Sequence, residues 1–373
     1  MESKRVEWNG IPVDAAAPAL LARWVPRLSS QTVRRTEQAA AAVQRFGDRA
    51  LGGAEVAARM LLRAEGLASS EIEGLRAPAV EVALAEAASA GHEADDHVSG
   101  WVADNLAAIS DALETPAPLT VEVLLGWHRR LMRHATRVEP RHVGAWRDTL
   151  GWVGGPNPRM AVHVAVPADD VGPLMEDLVA FTGRADVDPV TSAAVAHAQF
   201  ETIHPFADGN GRIGRVLIGW MLRQRLAVAY PPPVSLQMAR DVGGYQAGLT
   251  LYRQDQVEPW VAWFAQVVVA AATTSADVLA QVADVQAEWR EAVRDLRVDA
   301  AARRLCELLP AHPVVSALTA AESLGVSRQA AAMAIAALEH RGILVTLEGP
   351  APGRNVRERW WAARQMLDLL GTR

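Results

Sequence analysis

The stretch His204-Pro205-Phe206-Ala207-Asp208-Gly209-Asn210-Gly211-Arg212-Ile213-Gly214-Arg215 decides how this sequence is interpreted. From Gly211 to Leu222, apolar residues stand at positions 213, 216, 217, 220 and 221, a spacing that predicts a helix. The Gly-Asn-Gly turn then lies at a helix N-terminus, where free backbone N–H groups and the positive end of the helix dipole favour an anion. We therefore expect an anion-binding loop here.

The side chains of this stretch suggest phosphate chemistry. His204 could act as a base, and the Asp208 carboxylate could hold a cation. Arg212 and Arg215 are three residues apart, so they share one helix face and could hold two successive phosphates. A Gly-x-Gly turn alone would be more typical of an ordinary helix cap, but the whole set of residues favours a phosphate site.

Every fixed position of the pattern His-x-Phe-x-(Asp/Glu)-Gly-Asn-Gly-Arg-x-x-Arg is matched from His204 to Arg215, and the stretch resembles the active-site motif of the Fic family. Proteins of that family typically move a nucleoside monophosphate, most often AMP from ATP, onto a hydroxyl of a target protein. The resemblance implies a mainly α fold: a Fic-type helical core with a small β-hairpin flap, an N-terminal helical region and a C-terminal winged helix.

The resemblance also implies a role for each motif residue. His204 would be the general base, Asp208 the Mg²⁺ ligand and Phe206 the buried anchor of the loop. ATP would be held through its phosphates by Asn210 with the amides of Gly209 and Gly211, by Arg212 near the β-phosphate and by Arg215 at the γ-phosphate.

Composition sets outer limits. A chain of 373 residues with 50% apolar residues is long enough for two or three domains. The net charge of -6 argues against a protein that coats nucleic acid. The single cysteine, Cys306, cannot form an internal disulfide, and the ten histidines lack the spacing of zinc ligands. We find no signal peptide and no apolar stretch long enough to span a bilayer, so we expect a cytoplasmic protein without a membrane partner.

Breaks in the pattern suggest four regions. They are a largely helical N-terminal region at 1–92 that starts with an extended lead-in to about residue 30, a catalytic core at 93–270, a helical connector at 271–298 and a winged-helix-like domain at 299–373. Gly52-Gly53 and Gly66 are expected to break the N-terminal helical pattern.

The run Ala68-Ser69-Ser70-Glu71-Ile72-Glu73-Gly74 lies in the N-terminal region. Ser69 and Glu73 are four residues apart, so both project from one helix face, and Gly74 is placed for a C-terminal cap. An ordinary exposed helical turn would look the same. The run also resembles the inhibitory motif (Ser/Thr)-x-x-x-Glu-(Gly/Asn) of the Fic family, which implies that Glu73 pairs with Arg215 and keeps that arginine from the γ-phosphate.

Residues 144–167 change in character. Two β-prone runs flank a turn rich in Gly, Pro and Asn, which predicts a hairpin. A hairpin that merely covers the core is one interpretation. The family's flap, which aligns an extended piece of target by strand addition, is the other.

The helix that delivers His204 should begin with Asp188 as N-cap and Pro189 at the first helical position. On this helix His197 is interpreted as a hydrogen-bonded core histidine. Farther along, Tyr245 is a candidate for lining an adenine pocket.

The C-terminal tail predicts a winged helix. Thr319-Ala320-Ala321-Glu322 is interpreted as a capping box, and Ser327 as the cap of a second helix that ends near His340. Residues 344–347 and 356–361 would form a hairpin. Nine arginines and six acidic residues after position 300 make the tail only mildly basic, and Arg328 and Gln329 are followed mostly by alanine. We therefore favour protein docking or dimer formation over DNA binding.

The sequence thus predicts a protein adenylyltransferase that uses ATP and Mg²⁺ and is autoinhibited by Glu73. Two alternatives stay open: an enzyme that also removes AMP from its target, and a DNA-binding regulator whose core senses nucleotide. The target protein is unknown, and self-modification and a homodimer are further open alternatives.

Overall fold

The computed structural model describes residues 1–50, 55–88, 97–347 and 358–370. The described chain is mainly helical, as predicted. Its helices are α1 (Ser30–Ala50), α2 (Glu55–Ile72), α3 (Ala79–Ala88), α4 (Val98–Glu114), α5 (Val121–Leu131), α6 (Ala168–Thr182), α7 (Pro189–Ile203), α8 (Asn210–Leu226), α9 (Val234–Arg240), α10 (Val242–Arg253), α11 (Val257–Ala292), α12 (Ala301–Leu308), α13 (Ala317–Leu324), α14 (Arg328–His340) and α15 (Arg364–Asp368).

The strands form three small antiparallel sheets. They are β1 (Glu2–Trp8) with β2 (Ile11–Ala17), β3 (Trp152–Val153) with β4 (His163–Val164), and β5 (Val314–Ser316), β7 (Trp360–Ala362) and β6 (Val345–Thr346) in the order β5-β7-β6. The β3–β4 hairpin confirms the prediction made for residues 144–167.

The extended lead-in contains a hairpin that we did not predict: β1 and β2 pair along their whole length, from Glu2 opposite Ala17 to Trp8 opposite Ile11. The turn between them is Asn9-Gly10, with φ of 49° and 77°. An Asn-Gly pair with both φ angles positive is a strong hairpin signal, since its twist matches that of the strands. This signal was present in the sequence and was overlooked.

Helix α7 lies at the centre of the main core. Its N-terminus follows the prediction, since the Asp188 side chain accepts hydrogen bonds from the amides of Val190 (3.1 Å) and Thr191 (3.0 Å), with Pro189 at the first position. All residues from Val190 to Ile203 are buried, which is typical of a helix surrounded by other elements. Helices α1, α6, α8, α10 and α11 pack around it.

Helix α2 is longer than expected. Gly66 does not break it, because this glycine lies where α2 crosses α4 and a Cβ there would collide with Leu106. The helix ends at Ile72, and Gly74 has the left-handed conformation of a C-terminal cap, with φ of 79°. Gly52 and Gly53 lie outside the described residues.

Helix α11 runs without a break through position 270, where we expected the core to give way to a connector. Among the described residues it is the one helix long and apolar enough to cross a membrane by length and composition, which corrects our expectation that no stretch qualifies. It packs along α1, and Trp260, Phe264 and Val268 are buried in the core. Core burial is therefore sufficient to explain its composition.

A second core is built from the C-terminal elements together with residues of the N-terminal region, among them Met60, Leu61 and Ala83. The N-terminal region thus contributes to both large cores.

Ser327 caps α14 as predicted, with its side chain 3.2 Å from the amide of Ala330. The predicted capping box was misplaced: α13 is capped by Ser316, and Thr319 is its third helical residue. Residues 348–357, which include most of the expected final hairpin's turn, lie outside the described residues.

Candidate active site

The loop that joins α7 to α8 begins and ends with residues in left-handed backbone conformations. His204 ends α7 with φ of 52°, which is uncommon for a residue other than glycine, and Gly209 precedes α8 with φ of 79°. A Cβ at Gly209 would collide with the side chain of Met132. Local conformation and close packing therefore both require glycine there.

Asn210 holds the loop closed. Its Oδ1 accepts a hydrogen bond from the amide of Phe206, and its Nδ2 donates to the carbonyl of Phe206, both at 2.8 Å. Each polar end of the buried side chain makes one bond to Phe206, so Asn210 fixes the shape of the loop. Its second Nδ2–H is not used in these bonds, and its contact with phosphate stays a prediction.

Phe206 is the buried anchor that we expected. It is 1% exposed, and its ring stacks on that of His128 with centroids 3.8 Å apart and planes at 1°. The ring of Trp146 also packs against the ring of Phe206, with centroids 5.0 Å apart. The active loop is therefore fastened to α5 and to the segment before β3.

His128 was missed by sequence analysis. Its Nδ1 accepts a hydrogen bond from the amide of Gly144 (2.9 Å), so Nε2 carries the proton and donates to the carbonyl of Asp208 (3.1 Å). Burial lowers the pKa of His128 to about 4, which keeps the ring neutral. The available signal was its position on the buried face of α5, in register with Leu124 and Leu131.

Replacing Phe206 by alanine should destabilise the protein by about 3–5 kcal/mol, the usual cost of deleting a fully buried aromatic ring. Urea unfolding of the full chain measures this change. Met160→Ala is the control, because Met160 is 68% exposed and should change stability by about 0.5 kcal/mol or less. A loss below about 1 kcal/mol for Phe206→Ala would contradict the anchor role.

His204 lies at the mouth of the loop with a side chain that is 20% exposed. Burial, followed by the positive charges of Arg147 and Arg253, lowers its pKa to about 3. The imidazole is therefore neutral near pH 7 and can accept a proton.

Arg147 was also missed. Its guanidinium donates to the carbonyls of His204 (Nε, 2.8 Å) and Ile203 (3.2 Å), and to those of Thr149 (2.7 Å) and Val166. One buried side chain thereby provides hydrogen bonds to the free carbonyls at the end of α7 and to a carbonyl on each side of the β3–β4 hairpin. Arg147 holds His204 and the β3–β4 hairpin in a fixed relation.

The structure contains the predicted contact of Arg215 with Glu73, and Ser69 also contacts Arg215. Arg215 is 2% exposed; its Nε donates to Ser69 Oγ (2.9 Å), and its Nη2 donates to the Ser69 carbonyl (2.8 Å) and to Glu73 Oε1 (2.8 Å). Burial alone would lower the pKa of Arg215, but the Glu73 carboxylate outweighs it and the net shift is upward. This contact joins residues 142 positions apart in the chain.

The Glu73 carboxylate also covers the start of α8. A Cβ at Gly211 would collide with Glu73 Oε1 and lie 2.9 Å from Arg215 Nη1. A larger residue at position 211 would therefore displace the Glu73 carboxylate. The carboxylate stands at the helix N-terminus, where an anionic ligand would otherwise bind.

Arg212 and Asp208 lie on the same side of the loop. Arg212 is 5% exposed, its Nη2 is 3.7 Å from Asp208 Oδ1, and its Nε has no hydrogen-bond partner among the described residues. Burial lowers the pKa of this guanidinium. A buried donor without a partner is costly, so the arrangement favours an anionic ligand beside Arg212.

Tyr245 does not lie where we expected it. Its ring is 4% exposed, its hydroxyl is 2.8 Å from His197 Nε2, and it packs against Trp260 and Trp263. The assignment of Tyr245 to an open adenine pocket is therefore not supported, because the phenol is part of the core beneath Arg215. His197 is a buried, hydrogen-bonded core histidine, as predicted.

The β3–β4 hairpin lies beside the loop. His163 in β4 donates from Nε2 to the carbonyl of Thr202 in α7 (2.9 Å), and Trp152 contacts Trp8 of β1 edge to face. The tip exposes Met160 and Val162, at 68% and 75%. The hairpin is fixed at its base and apolar at its tip.

In this fold a central pair of helices, α7 and α8, carries a glycine-containing loop with the neutral imidazole of His204 beside it. Residues 118–222 match the model of the Fic/DOC family, so the chain contains a Fic/DOC family domain. A relative named protein adenylyltransferase Fic, from Drosophila willistoni, is 31% identical over 160 residues; the match covers 42% of this chain and 29% of that protein. The chain therefore spans less than a third of this relative's length.

Solved structures have the same fold. A Fic family protein from Desulfovibrio desulfuricans G20 superposes with a TM-score of 0.55 and 23% identity, over 90% of this chain and 97% of that one. Fic-1 (residues 134–508) from C. elegans gives a TM-score of 0.50 and 18% identity, over 68% of this chain and 75% of that one. These likenesses concern the fold alone.

Proposed function

We propose that this protein is a protein adenylyltransferase, which transfers AMP from ATP to a Ser, Thr or Tyr hydroxyl of a target protein. The proposal rests on the placement of three residues around the N-terminus of α8: His204 precedes this helix in the loop, and Arg212 and Arg215 lie in its first turns. The relatives named protein adenylyltransferase Fic support the same activity for the region that they match.

In this reaction the target hydroxyl oxygen bonds to the α-phosphorus of ATP while its proton passes to His204. The bond from the α-phosphorus to the bridging oxygen of the β-phosphate breaks, and pyrophosphate leaves. The low pKa of His204 keeps the imidazole unprotonated and therefore available at neutral pH.

The chain supplies positive charge where negative charge develops. The free amides at the start of α8 and the unpartnered Nε of Arg212 would face the phosphates, in a site partly shielded from water. In phosphoryl-type transfer this positioning of fixed charges provides most of the catalysis.

The residues present fit Mg²⁺, although the described residues contain no cluster of three His, Cys, Asp or Glu side chains. Mg²⁺ usually takes one or two protein carboxylates and fills its other positions with substrate phosphates and waters. Asp208 would hold it: its side chain is 54% exposed, and its Oδ1 accepts from the Gly209 amide, which orients the carboxylate. The ion supplies charge neutralisation of the phosphates when bound.

We further propose that α2 is an inhibitory helix. Arg215 is the residue expected at the γ-phosphate, and Glu73 and Ser69 occupy its guanidinium. An arginine–carboxylate pair in a partly desolvated cleft is strong enough to hold the side chain in one position.

Two surfaces are proposed for partners. The β3–β4 hairpin would align an extended target segment beside His204 by strand addition. The C-terminal elements are proposed to form a winged helix that docks protein, because the exposed face of α14 carries Ala332, Met333 and Ala336 after Arg328, a poor surface for reading base edges.

The experiment that tests the activity uses the full chain as a Glu73→Gly variant with ATP labelled at either the α- or the γ-phosphate. We expect protein-bound label from α-labelled ATP and none from γ-labelled ATP, because AMP is the transferred group. Transfer of the γ-label alone would identify a kinase, and ATP binding without transfer of either label would reject the proposal.

A further inference from the structure

We propose that Glu201 is a positioning residue for His204: its carboxylate holds the proton-bearing Nδ1, so that Nε2 is directed at the target hydroxyl as the base. This inference rests on the proposed function and adds to it a residue outside the motif that starts at His204. Glu201 touches neither ATP nor the target in this arrangement. It acts through the histidine.

The geometry brings the two side chains together in the last turn of α7. Glu201 Oε2 lies 3.9 Å from His204 Nδ1; Glu201 is in the last turn of α7, and His204 is the residue that caps this helix. A closure of about 1 Å would make a hydrogen bond of ordinary length. His204 has a left-handed backbone, with φ of 52° and ψ of 62°.

Both partners have unused hydrogen-bonding capacity. Glu201 is 6% exposed, and among the described residues its Oε1 and the Nδ1 of His204 have no hydrogen-bond partner. Unsatisfied buried polar atoms are rare in native proteins, since each costs about 1–3 kcal/mol, and they mark places where structure serves function. The unpartnered Nδ1 of His204 lies nearest Glu201 Oε2, so a small side-chain rotation would close a bond between them.

The neighbouring helix is shaped around this carboxyl group. A Cβ at Gly214 would lie 2.5 Å from Glu201 Oε1 and 3.0 Å from His197 Nδ1, so a larger residue at this position of α8 would displace the side chain. Glycine costs helix stability by about 1 kcal/mol relative to alanine. The space that Gly214 leaves is the space that Glu201 occupies.

Charged and titratable groups from several elements lie around Glu201 and His204, including Arg147 and His163 beside His204. Arg215 faces Glu201 from α8, Glu73 from the end of α2, Arg253 and Tyr245 from α10, and His197 and His204 from α7 itself. Burial raises the pKa of Glu201 to about 7; Arg215 and Arg253 act against the rise, and Glu73 adds to it. The carboxyl group therefore gains and loses its proton near neutral pH.

The direction of the pH effect follows from the proton count. Above its pKa, Glu201 is a carboxylate that accepts from Nδ1–H, which leaves Nε2 with the lone pair required of a base. Below its pKa, the protonated carboxyl donates to Nδ1, which leaves the proton on Nε2 and the wrong tautomer for proton abstraction. Activity should therefore rise with pH through about 7.

A simpler role would be to balance the charge of Arg215. Arg215 already bonds to Glu73 and Ser69 in this state and would meet the γ-phosphate in the active one. If Glu201 only supported Arg215, its loss should raise the KM for ATP. If it positions His204, its loss should lower kcat and change the pH profile.

The test compares Glu73→Gly with Glu73→Gly/Glu201→Gln in single-turnover transfer from α-labelled ATP between pH 5.5 and 9. We expect kcat to fall by roughly 10- to 100-fold, as for other partners that orient a functional histidine. Glu73 contributes to the raised pKa of Glu201, so the acid limb of the Glu73→Gly parent should lie below 7. We expect this limb to move to still lower pH in the double variant, because glutamine has the same shape but does not titrate. Glu65→Gln is the matched control: Glu65 is also a buried carboxyl near Arg215, but it bonds to Ser235 and should leave the limb in place.

An unchanged acid limb in the double variant, or a change in KM alone, would overturn the positioning role while leaving the adenylyltransferase proposal intact. A second measurement needs neither a variant nor activity. In the unaltered full chain, ¹⁵N NMR of the His204 ring should show the proton on Nδ1 above pH 7 and a shift toward Nε2 below it. The same tautomer at all pH values would reject the inference, even if no AMP transfer were found.

Discussion

Replacement of His204 by alanine is expected to reduce AMP transfer by about 10² to 10⁴-fold, the usual contribution of a general base. ATP binding should persist, because the amides of α8 and the two arginines remain. The measurement is protein labelling by α-labelled ATP in the Glu73→Gly background, with ATP affinity from isothermal titration calorimetry.

His340→Ala is the control for this change. His340 is exposed at the end of α14, so its replacement should leave labelling near that of the parent. Labelling that survives His204→Ala at the parent's rate would remove His204 from the mechanism, and with it the positioning role of Glu201.

Replacement of Glu73 by glycine should increase labelling by roughly tenfold or more at ATP concentrations below saturation. The charged hydrogen bond from Arg215 to Glu73 competes with the γ-phosphate, and bonds of this kind are worth about 1.5–3 kcal/mol before solvent screening. The Glu73 side chain is 39% exposed, which reduces the effect toward the lower end of that range.

Glu71→Gly is the matched control, because Glu71 lies two residues away, is 50% exposed and pairs with Arg76 at 3.2 Å. It removes the same charge from the same turn without touching Arg215. If both variants increase labelling equally, the cause is a loosened helix end. If neither does, and both bind ATP, then α2 is not inhibitory.

Local signals in the sequence were sufficient for much of the helical framework. Asp188-Pro189 predicted the start of α7, Ser327 predicted the start of α14, and the spacing after Gly211 predicted α8. Each of these signals acts within four residues, so it operates before the chain folds. The errors were local as well: the Asn9-Gly10 hairpin turn was overlooked, and the cap of α13 was set at Thr319 instead of Ser316.

The residues around the motif could not be found in this way. The register of α5 marks His128 as buried but does not indicate its partner, and the hairpin pattern around Arg147 does not indicate a role for that side chain. Folding gives both their roles by bringing them to the carbonyls of Asp208 and His204. Asn210 has a motif position, and the tertiary structure shows that its side chain also fixes the loop through two hydrogen bonds to Phe206.

The sequence by itself determined which groups are available: a histidine, an aspartate, two arginines and a Gly-Asn-Gly turn within twelve residues at a helix start. The tertiary structure alone decided how those groups are restrained and oriented. It sets the pair between Glu73 and Arg215, residues 142 positions apart, and it buries Glu201 until its pKa reaches about 7. The physical reason is that helix caps and turns depend on neighbours in the chain, whereas ion pairing and desolvation depend on which segments pack together.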